Sequence, residues 1–375
     1  MKHYDYIFAG AGLAALMTVY KMAESDAFNN KSILLIDEDS KSSNDRTWCF
    51  WDSKDGRWGN SVSRQWDSAI FTGQDFSREL DLKPYRYNMI RGLDFYKQVF
   101  ESISKNENIT FLNQKVTTIE GKPDSRIVRT ATDSYSCTKL FNSIYNKTVA
   151  EGQKKYPVLQ QHFIGWFIKS EEAVFNASTA TLMDFSVEQN GNTRFMYLLP
   201  FSETEALIEY TLFSKSVLDQ SEYEDAIEQY IDKLGITNYT IVEKERGSIP
   251  MSCYPFWKKD TVDIIHIGSA GGWTKASTGY TFRNADKRSD ELIKYLLMGN
   301  KYRSFHKETR FWYYDLLLLD ILNRSNAVGS SIFSALFKKQ SPVLIFKFLD
   351  EESSILEDLK VIWSCPKRIF VGALL

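Results

Sequence analysis

Glu209 interrupts a run that is otherwise apolar, Ala206-Leu-Ile-Glu-Tyr-Thr-Leu-Phe213. A carboxylate in such a strand is paired, edge-exposed or functional. Enclosed in an apolar pocket its charged form loses hydration, so its pKa rises and it can hold a proton near neutral pH. That is the chemistry of a general acid. Two further acids lie among strand and aromatic residues. Glu245 precedes Arg246-Gly247 and the turn into Ile249-Pro250-Met251; its structural alternative is an ion pair with Lys244 or Arg246. Asp184 stands between Met183 and Phe185 and serves equally as a structural acid at a strand end. The candidates for catalysis rank Glu209, Glu245, Asp184.

Two glycine-rich turns must position whatever these acids act upon. Gly10-Ala-Gly-Leu-Ala-Ala15 follows the apolar run Tyr4–Ala9, and Gly268-Ser-Ala-Gly-Gly-Trp-Thr-Lys-Ala-Ser-Thr-Gly-Tyr-Thr-Phe282 follows Val262–Ile267. Glycines at such turns let backbone amides approach a phosphate, and the helix that follows offers its partly positive N-terminus. The spacing predicts a strand over Tyr4–Ala9, a helix over Leu13–Glu24 and a strand over Ser32–Ile36 that closes at Asp37. An acid there is placed for ribose hydroxyls. Ala15 holds the third motif position, which only packs helix against strand. Two turns at opposite ends of the chain gripping one cofactor predict a flavin, FAD. Gly10, Gly12, Ala15 and Asp37 form one half-site, with Arg46 positioned to take a phosphate bidentately. Gly268, Gly271, Gly272, Lys275, Thr278 and Gly279 form the other, where Ser269 follows Gly268 in place of the Asp common at this turn.

The predicted fold class is α/β: an FAD-binding, Rossmann-like domain of the glutathione-reductase type, interrupted by a β-rich substrate domain and followed by a helical C-terminal region. Boundaries fall at 1–150 and 256–300 for the two parts of the FAD domain, 151–255 for the insert and 301–375 for the helical region. Residues 41–90 read as loop-rich and aromatic. The C-terminal clusters at 316–322, 332–337 and 343–349 read either as a helical cap on the core or as an apolar edge resting on a bilayer, with Lys338, Lys339 and Lys347 at the headgroups.

Composition bounds the function. The chain is 43% hydrophobic and 14% aromatic, which excludes wholesale disorder and suits a large unsaturated or apolar ligand. A net charge of −2 provides no field to recruit nucleic acid. Four cysteines and four histidines are scattered without metal-ligand spacing, so no metal is expected, and reduced thiols fit a cytoplasmic location. No apolar run reaches the length of a membrane-spanning helix, so a lipid substrate would be met from the membrane surface.

Seven ordered segments closely resemble the lycopene cyclases, flavin-dependent enzymes that form carotenoid rings, and specifically their bacterial β-cyclase branch. They are Asn44-Asp-Arg-Thr-Trp-Cys-Phe-Trp51, Leu159-Gln-Gln-His-Phe-Ile-Gly-Trp166, Thr181-Leu-Met-Asp-Phe185, Phe195-Met-Tyr-Leu-Leu-Pro-Phe-Ser202, Leu207-Ile-Glu-Tyr-Thr211, Glu245-Arg-Gly-Ser-Ile-Pro-Met251 and Thr274-Lys-Ala-Ser-Thr-Gly-Tyr-Thr-Phe282. The resemblance implies a redox-neutral isomerisation of lycopene, through γ-carotene to β-carotene, with FAD in its reduced form and NAD(P)H as electron source. It implies that Glu209 is essential and that the chain works on the cytoplasmic membrane as a peripheral protein. Tyr210 stands where many relatives carry a second acid. Trp48 and Trp51 are candidates for lining a polyene tunnel. A different class on the same fold, an FAD-dependent monooxygenase or prenyl-chain reductase, shares both turns but has no need of Glu209. A non-catalytic carotenoid carrier leaves the turns without purpose.

Overall fold

The computed structural model describes residues 1–53, 56–122, 125–299, 305, 306 and 308–374, the side chains of 371–374 excepted. β1 (Lys2–Ala9), α1 (Leu13–Ala23) and β2 (Ile33–Asp37) form a parallel βαβ unit. The strands read as continuous apolar runs because both faces of a parallel sheet are covered. Next come β3 (Thr47–Asp52), β4 (Val62–Trp66), β5 (Ser68–Thr72), β6 (Ser77–Asp81) and β7 (Arg86–Arg91). The loop-rich expectation for 41–90 is therefore corrected: five short strands occupy it. Each is only five or six residues long, and β3 and β7 send side chains to two different cores, so no sustained period of two shows in the sequence.

α2 (Gly92–Ile103), β8 (Ile109–Asn113), β9 (Thr118–Lys122), β10 (Ser125–Arg129) and β11 (Ser134–Asn142) follow, then α3 (Lys147–Glu151). The first sheet has the order β8-β2-β1-β11-β10-β9. The insert supplies β12 (Leu159–Ser170), β13 (Thr179–Asp184), β14 (Thr193–Pro200), β15 (Glu205–Ser214), α4 (Gln220–Lys233) and β16 (Tyr239–Met251). The second sheet is ordered β16-β12-β15-β14-β13-β5-β6, so residues 68–81, sequence-distant from the insert, extend its sheet. β17 (Ile264–His266) returns to the first sheet alongside β11, and α5 (Phe282–Leu297) packs on α1.

Alternation along β15 gives the second sheet two faces. Ile208, Tyr210 and Leu212 face α4 with Tyr223, Ile227 and Tyr230. Leu207 and Phe213 join a larger core with Trp51, Tyr87, Tyr197 and the C-terminal helices. Those helices are α6 (Arg310–Arg324), α7 (Gly329–Lys339), α8 (Pro342–Leu349), α9 (Ile355–Ser364) and α10 (Lys367–Leu374). Leu319, Leu322, Phe333, Leu336, Phe337, Ile345 and Phe346 are all buried in that core. Of the two readings open for these clusters, a helical cap on the core and a bilayer edge, their buried members form the cap. No helix among the described residues is long and apolar enough to cross a membrane.

Candidate active site

β12 lies between β15 and β16, and Gly165 of β12 is in register with Glu209 on one side and Glu245 on the other. Cross-strand neighbours share a face, so both carboxylates project away from α4. Flanking strands of a triplet sit roughly 9–10 Å apart; the missing side chain at Gly165 is what lets the acids lean together. A Cβ at Gly165 would lie 3.3 Å from Glu209 Cβ, 3.2 Å from Glu245 Cγ and 2.8 Å from Leu207 Cδ1. The two carboxyl groups come within side-chain hydrogen-bonding reach of each other. Thr211 Oγ1 donates to Glu209 Oε1 at 2.5 Å, and Thr47 Oγ1 donates to Glu245 Oε2 at 2.6 Å.

Burial, and then the Glu245 charge, push Glu209 up to about 8. Glu245 also rises, chiefly through burial, while Thr47 and the Arg91 guanidinium pull it down. Like charges this close cannot both ionise, so the pair holds one proton, on Glu209, and one charge, on Glu245. The ion-pair alternative for Glu245 is not what forms: Lys244 Nζ pairs with Glu224 at 2.8 Å. Tyr210 points to the other face, where its hydroxyl accepts from Arg194 at 3.2 Å. A side chain at 210 is therefore no partner for Glu209; the second acid arrives across the sheet.

The pair opens onto a cavity of about 740 Å³. Its wall includes Gly12, Leu13, Lys41, Asp45, Arg46 and Trp48 together with Glu209, Glu245, Tyr197, Leu199, Leu207 and Thr278–Phe282. Tyr87, Tyr197 and Tyr280 surround the acids, the hydroxyls of Tyr197 and Tyr280 being 3.4 Å apart. Burial raises all three phenols, and it raises the Cys49 thiol with the help of both glutamates, so these groups stay neutral. The chamber around the acid pair is aromatic, and the Arg91 guanidinium that acts on Glu245 is itself tied to Glu243 at 2.6 Å.

The two glycine turns meet. Gly268, at φ +60°, brings the second turn against α1, where a Cβ would stand 3.3 Å from Ala14 Cβ. Gly10 at φ +87° makes the tight turn over Ser143, and Ala15 is fully buried in the helix–sheet packing. Gly12 caps α1 and faces open space, with nothing within 4 Å of a Cβ there. Gly271 and Gly272 continue the second turn without joining the cavity wall, whereas Thr278 and Gly279 do join it. Arg46 is on the wall, its Nη1 donating to the Asp45 carbonyl at 2.7 Å, while Tyr96 fixes Asp45 Oδ1 at 2.7 Å. Two buried atoms on this wall, Thr278 Oγ1 and Gln161 Oε1, have no partner among the described residues. Buried polar groups without partners are costly, so they mark where a polar ligand edge belongs.

Several expected site residues lie elsewhere. Asp184 is outside the cavity, accepting from Tyr230 Oη at 2.8 Å and from the Ser186 amide at 2.8 Å; it is the structural acid of a strand end. Lys275 turns away from the cavity to pair with Asp315 at 3.0 Å and Glu351 at 3.1 Å, so it ties the second turn to the C-terminal helices instead of facing a phosphate. Trp51 is stacked on Phe346 at 4.4 Å and donates to Asp350 at 2.8 Å, away from the wall that Trp48 lines. Asp37 sits beneath the first turn, its Oδ2 accepting the Ala11 amide at 2.6 Å. Gly165, Thr47, Thr211 and the three tyrosines were not singled out by sequence reasoning. A glycine inside a strand signals a close approach, which was the available clue to Gly165.

The description of lycopene cyclase protein matches residues 5–373. The chain belongs to the lycopene cyclase family. A lycopene beta-cyclase of Pantoea ananas is 24% identical over 303 residues, 77% of this chain and 74% of that protein. Another, of Paracoccus sp. (strain N81106 / MBIC 01143), is 31% identical over 135 residues, which span 35% of this chain and 34% of that protein's length. The fold is shared more widely. A geranylgeranyl bacteriochlorophyll reductase-like protein of Thermoplasma acidophilum superposes with a TM-score of 0.64 at 10% identity, covering 99% and 98% of the two chains. A flavin-dependent brominase superposes at 0.65 and 12%, covering 100% and 98%. The family's fold is thus the Rossmann-like architecture of FAD-dependent enzymes, with an inserted sheet that here carries the acid pair.

Proposed function

We propose that this chain is a lycopene beta-cyclase that closes the linear ends of lycopene to β-rings, giving γ-carotene and then β-carotene, with reduced FAD as cofactor and NAD(P)H as its electron source. The observation that carries the reading is the pair Glu209–Glu245: two buried carboxyl groups brought together across Gly165 in an aromatic chamber, where burial and the neighbouring charge favour a proton on Glu209. Protonating an alkene to a tertiary carbocation needs both a strong acid and negative charge held nearby. Glu209 would donate its proton to the terminal double bond. The adjoining alkene then closes the ring, and the glutamate pair takes a ring proton back, so protons and electrons both balance. Tyr87, Tyr197 and Tyr280 line the cavity, where their rings would stabilise the cation and their neutral phenols would not quench it.

Other residues of the cavity wall fit FAD: open space in front of α1 at Gly12, Arg46, and Thr278 Oγ1 and Gln161 Oε1, which have no partner among the described residues. Held by these residues in its reduced form, FAD would supply further negative charge to the site. The polyene substrate is insoluble in water, so the protein would meet it as a peripheral protein on the cytoplasmic membrane.

The test is an anaerobic incubation of purified protein with lycopene in liposomes and FAD reduced by dithionite, nicotinamide omitted. β-Carotene formed without further consumption of reductant supports a redox-neutral cyclase. Reduced flavin bound beside unchanged lycopene moves the assignment to an oxidoreductase of another polyene or prenyl lipid.

A further inference from the structure

α9 turns an apolar stripe outward. Ile355, Leu356, Leu359 and Trp363 are 65%, 73%, 47% and 69% exposed. At helical spacing they fall within about 100° of the circumference, the width of a buried face in a globular protein. The side that packs inward is Asp358, Val361 and Ser364. The helix is secured without its outer stripe: Ser354 and Glu357 form a capping box, and Asp358 accepts from Arg310 at 2.6 Å. Exposed apolar groups contiguous on one face mark a surface that meets something.

Charge indicates what. The carboxylates around the start of α9 are each paired with a cation from the body of the protein: Glu351 with Lys275 at 3.1 Å (shared with Asp315), Glu352 with Lys287 at 2.6 Å, Glu357 with Lys347 at 2.8 Å and Asp358 with Arg310 at 2.6 Å. Lys360, Lys367 and Arg368 are exposed and have no carboxylate partner among the described residues. Lys367 Nζ instead lies 4.9 Å over the Trp363 ring, at the edge of the stripe. Aliphatic groups flanked by a tryptophan and unpaired cations match the boundary of an anionic bilayer, where acyl chains, headgroups and lipid phosphates succeed one another in depth.

We propose that α9 docks this protein on an anionic phospholipid bilayer, apolar stripe down. The proposal rests on the cyclase reading, which demands access to a membrane-borne substrate, and it names the surface that gives that access. Under α9, Val361 belongs to the same apolar cluster as Tyr197, Leu199 and Leu207, three residues of the cavity wall. Glu351, at the base of α9, is joined through Lys275 to the second glycine turn. The docked face and the acid pair are therefore connected by one packed body.

The test is flotation of the full-length protein with vesicles of phosphatidylcholine alone or mixed with phosphatidylglycerol, followed by cyclisation of lycopene supplied either in those vesicles or in detergent micelles. The variant Leu359→Ser/Trp363→Ser should keep the wild-type melting temperature and micelle activity, yet lose on the order of tenfold in partition to mixed vesicles and lose turnover of vesicle-borne lycopene. Lys360→Glu/Lys367→Glu should weaken flotation on the mixed vesicles only. Flotation of the first variant at the wild-type level, or no flotation of wild type, overturns the proposal. So does a wild-type dimer in sedimentation that Leu359→Ser/Trp363→Ser dissolves without changing flotation, since a second copy is then the occupant. Flotation as expected with no ring formed in micelles would instead sink the cyclase reading and leave α9 as a membrane surface.

Discussion

Replacing Glu209 by Gln removes a group whose charge the site opposes, and stability should record it. Burial and Glu245 lift Glu209 from 4.5 to about 8 in the folded chain. Between those values the native state retains a proton that the unfolded chain has released, so stability falls as pH rises through the window. Below 4.5 both states are protonated and the group is silent; above 8 both are ionised and the penalty is complete. At about 1.4 kcal/mol per pH unit the loss approaches roughly 4 kcal/mol by pH 8, some of it shared with Glu245. Gln stays neutral, can still accept from Thr211, and escapes the loss. Wild type and Glu209→Gln should therefore melt together near pH 4.5 and separate by pH 8. For 375 residues the variant should then melt higher by about 5 °C. The assay is thermal unfolding by circular dichroism from pH 4.5 to 8.5, alongside ring formation, which should fall by at least about 100-fold. A melting difference that does not change with pH would mean Glu209 is not held neutral, and the dry proton donor would fail with it.

Three other perturbations probe separate parts of the site. Gly12→Val should abolish flavin retention by filling the space in front of α1, read as the absorbance of purified protein; a flavin-loaded variant would remove the first turn from the cofactor site. Gly165→Ala should wedge the two glutamates apart, destabilising the fold by about 1–3 kcal/mol and lowering kcat more than KM; unchanged kcat would show that the acids act singly. Lys275→Met should leave Asp315 and Glu351 without their cation and cost on the order of 3–5 kcal/mol in denaturant unfolding. Since Lys275 faces those acids, flavin should still be retained at low temperature, and its loss in a folded variant would restore the cofactor role.

Much of the architecture follows from local sequence. A glycine turn between an apolar strand and an amphipathic helix is a local event, so both half-sites were legible and they do meet in space. The helix predicted over Leu13–Glu24 forms as α1, Leu13–Ala23. Glu209 stood out because burying a charge among apolar neighbours needs a reason. The five short strands at 47–91 were not legible, because each is only five or six residues long and β3 and β7 bury side chains in two different cores.

The sequence by itself determined the family, the nucleotide turns and the presence of an acid in an apolar strand, all of which depend on neighbours along the chain. The tertiary structure decided which acids lie together. Glu209 and Glu245 are 36 residues apart on strands that do not touch, and only the register of β12 between them, with glycine at position 165, brings them to one proton. It likewise decided that Lys275 is a structural cation, Asp184 a strand-end acid, and α9 the helix with an unpartnered apolar face. Partners of a charge and the covering of a face are properties of packing, and residue type alone does not specify them.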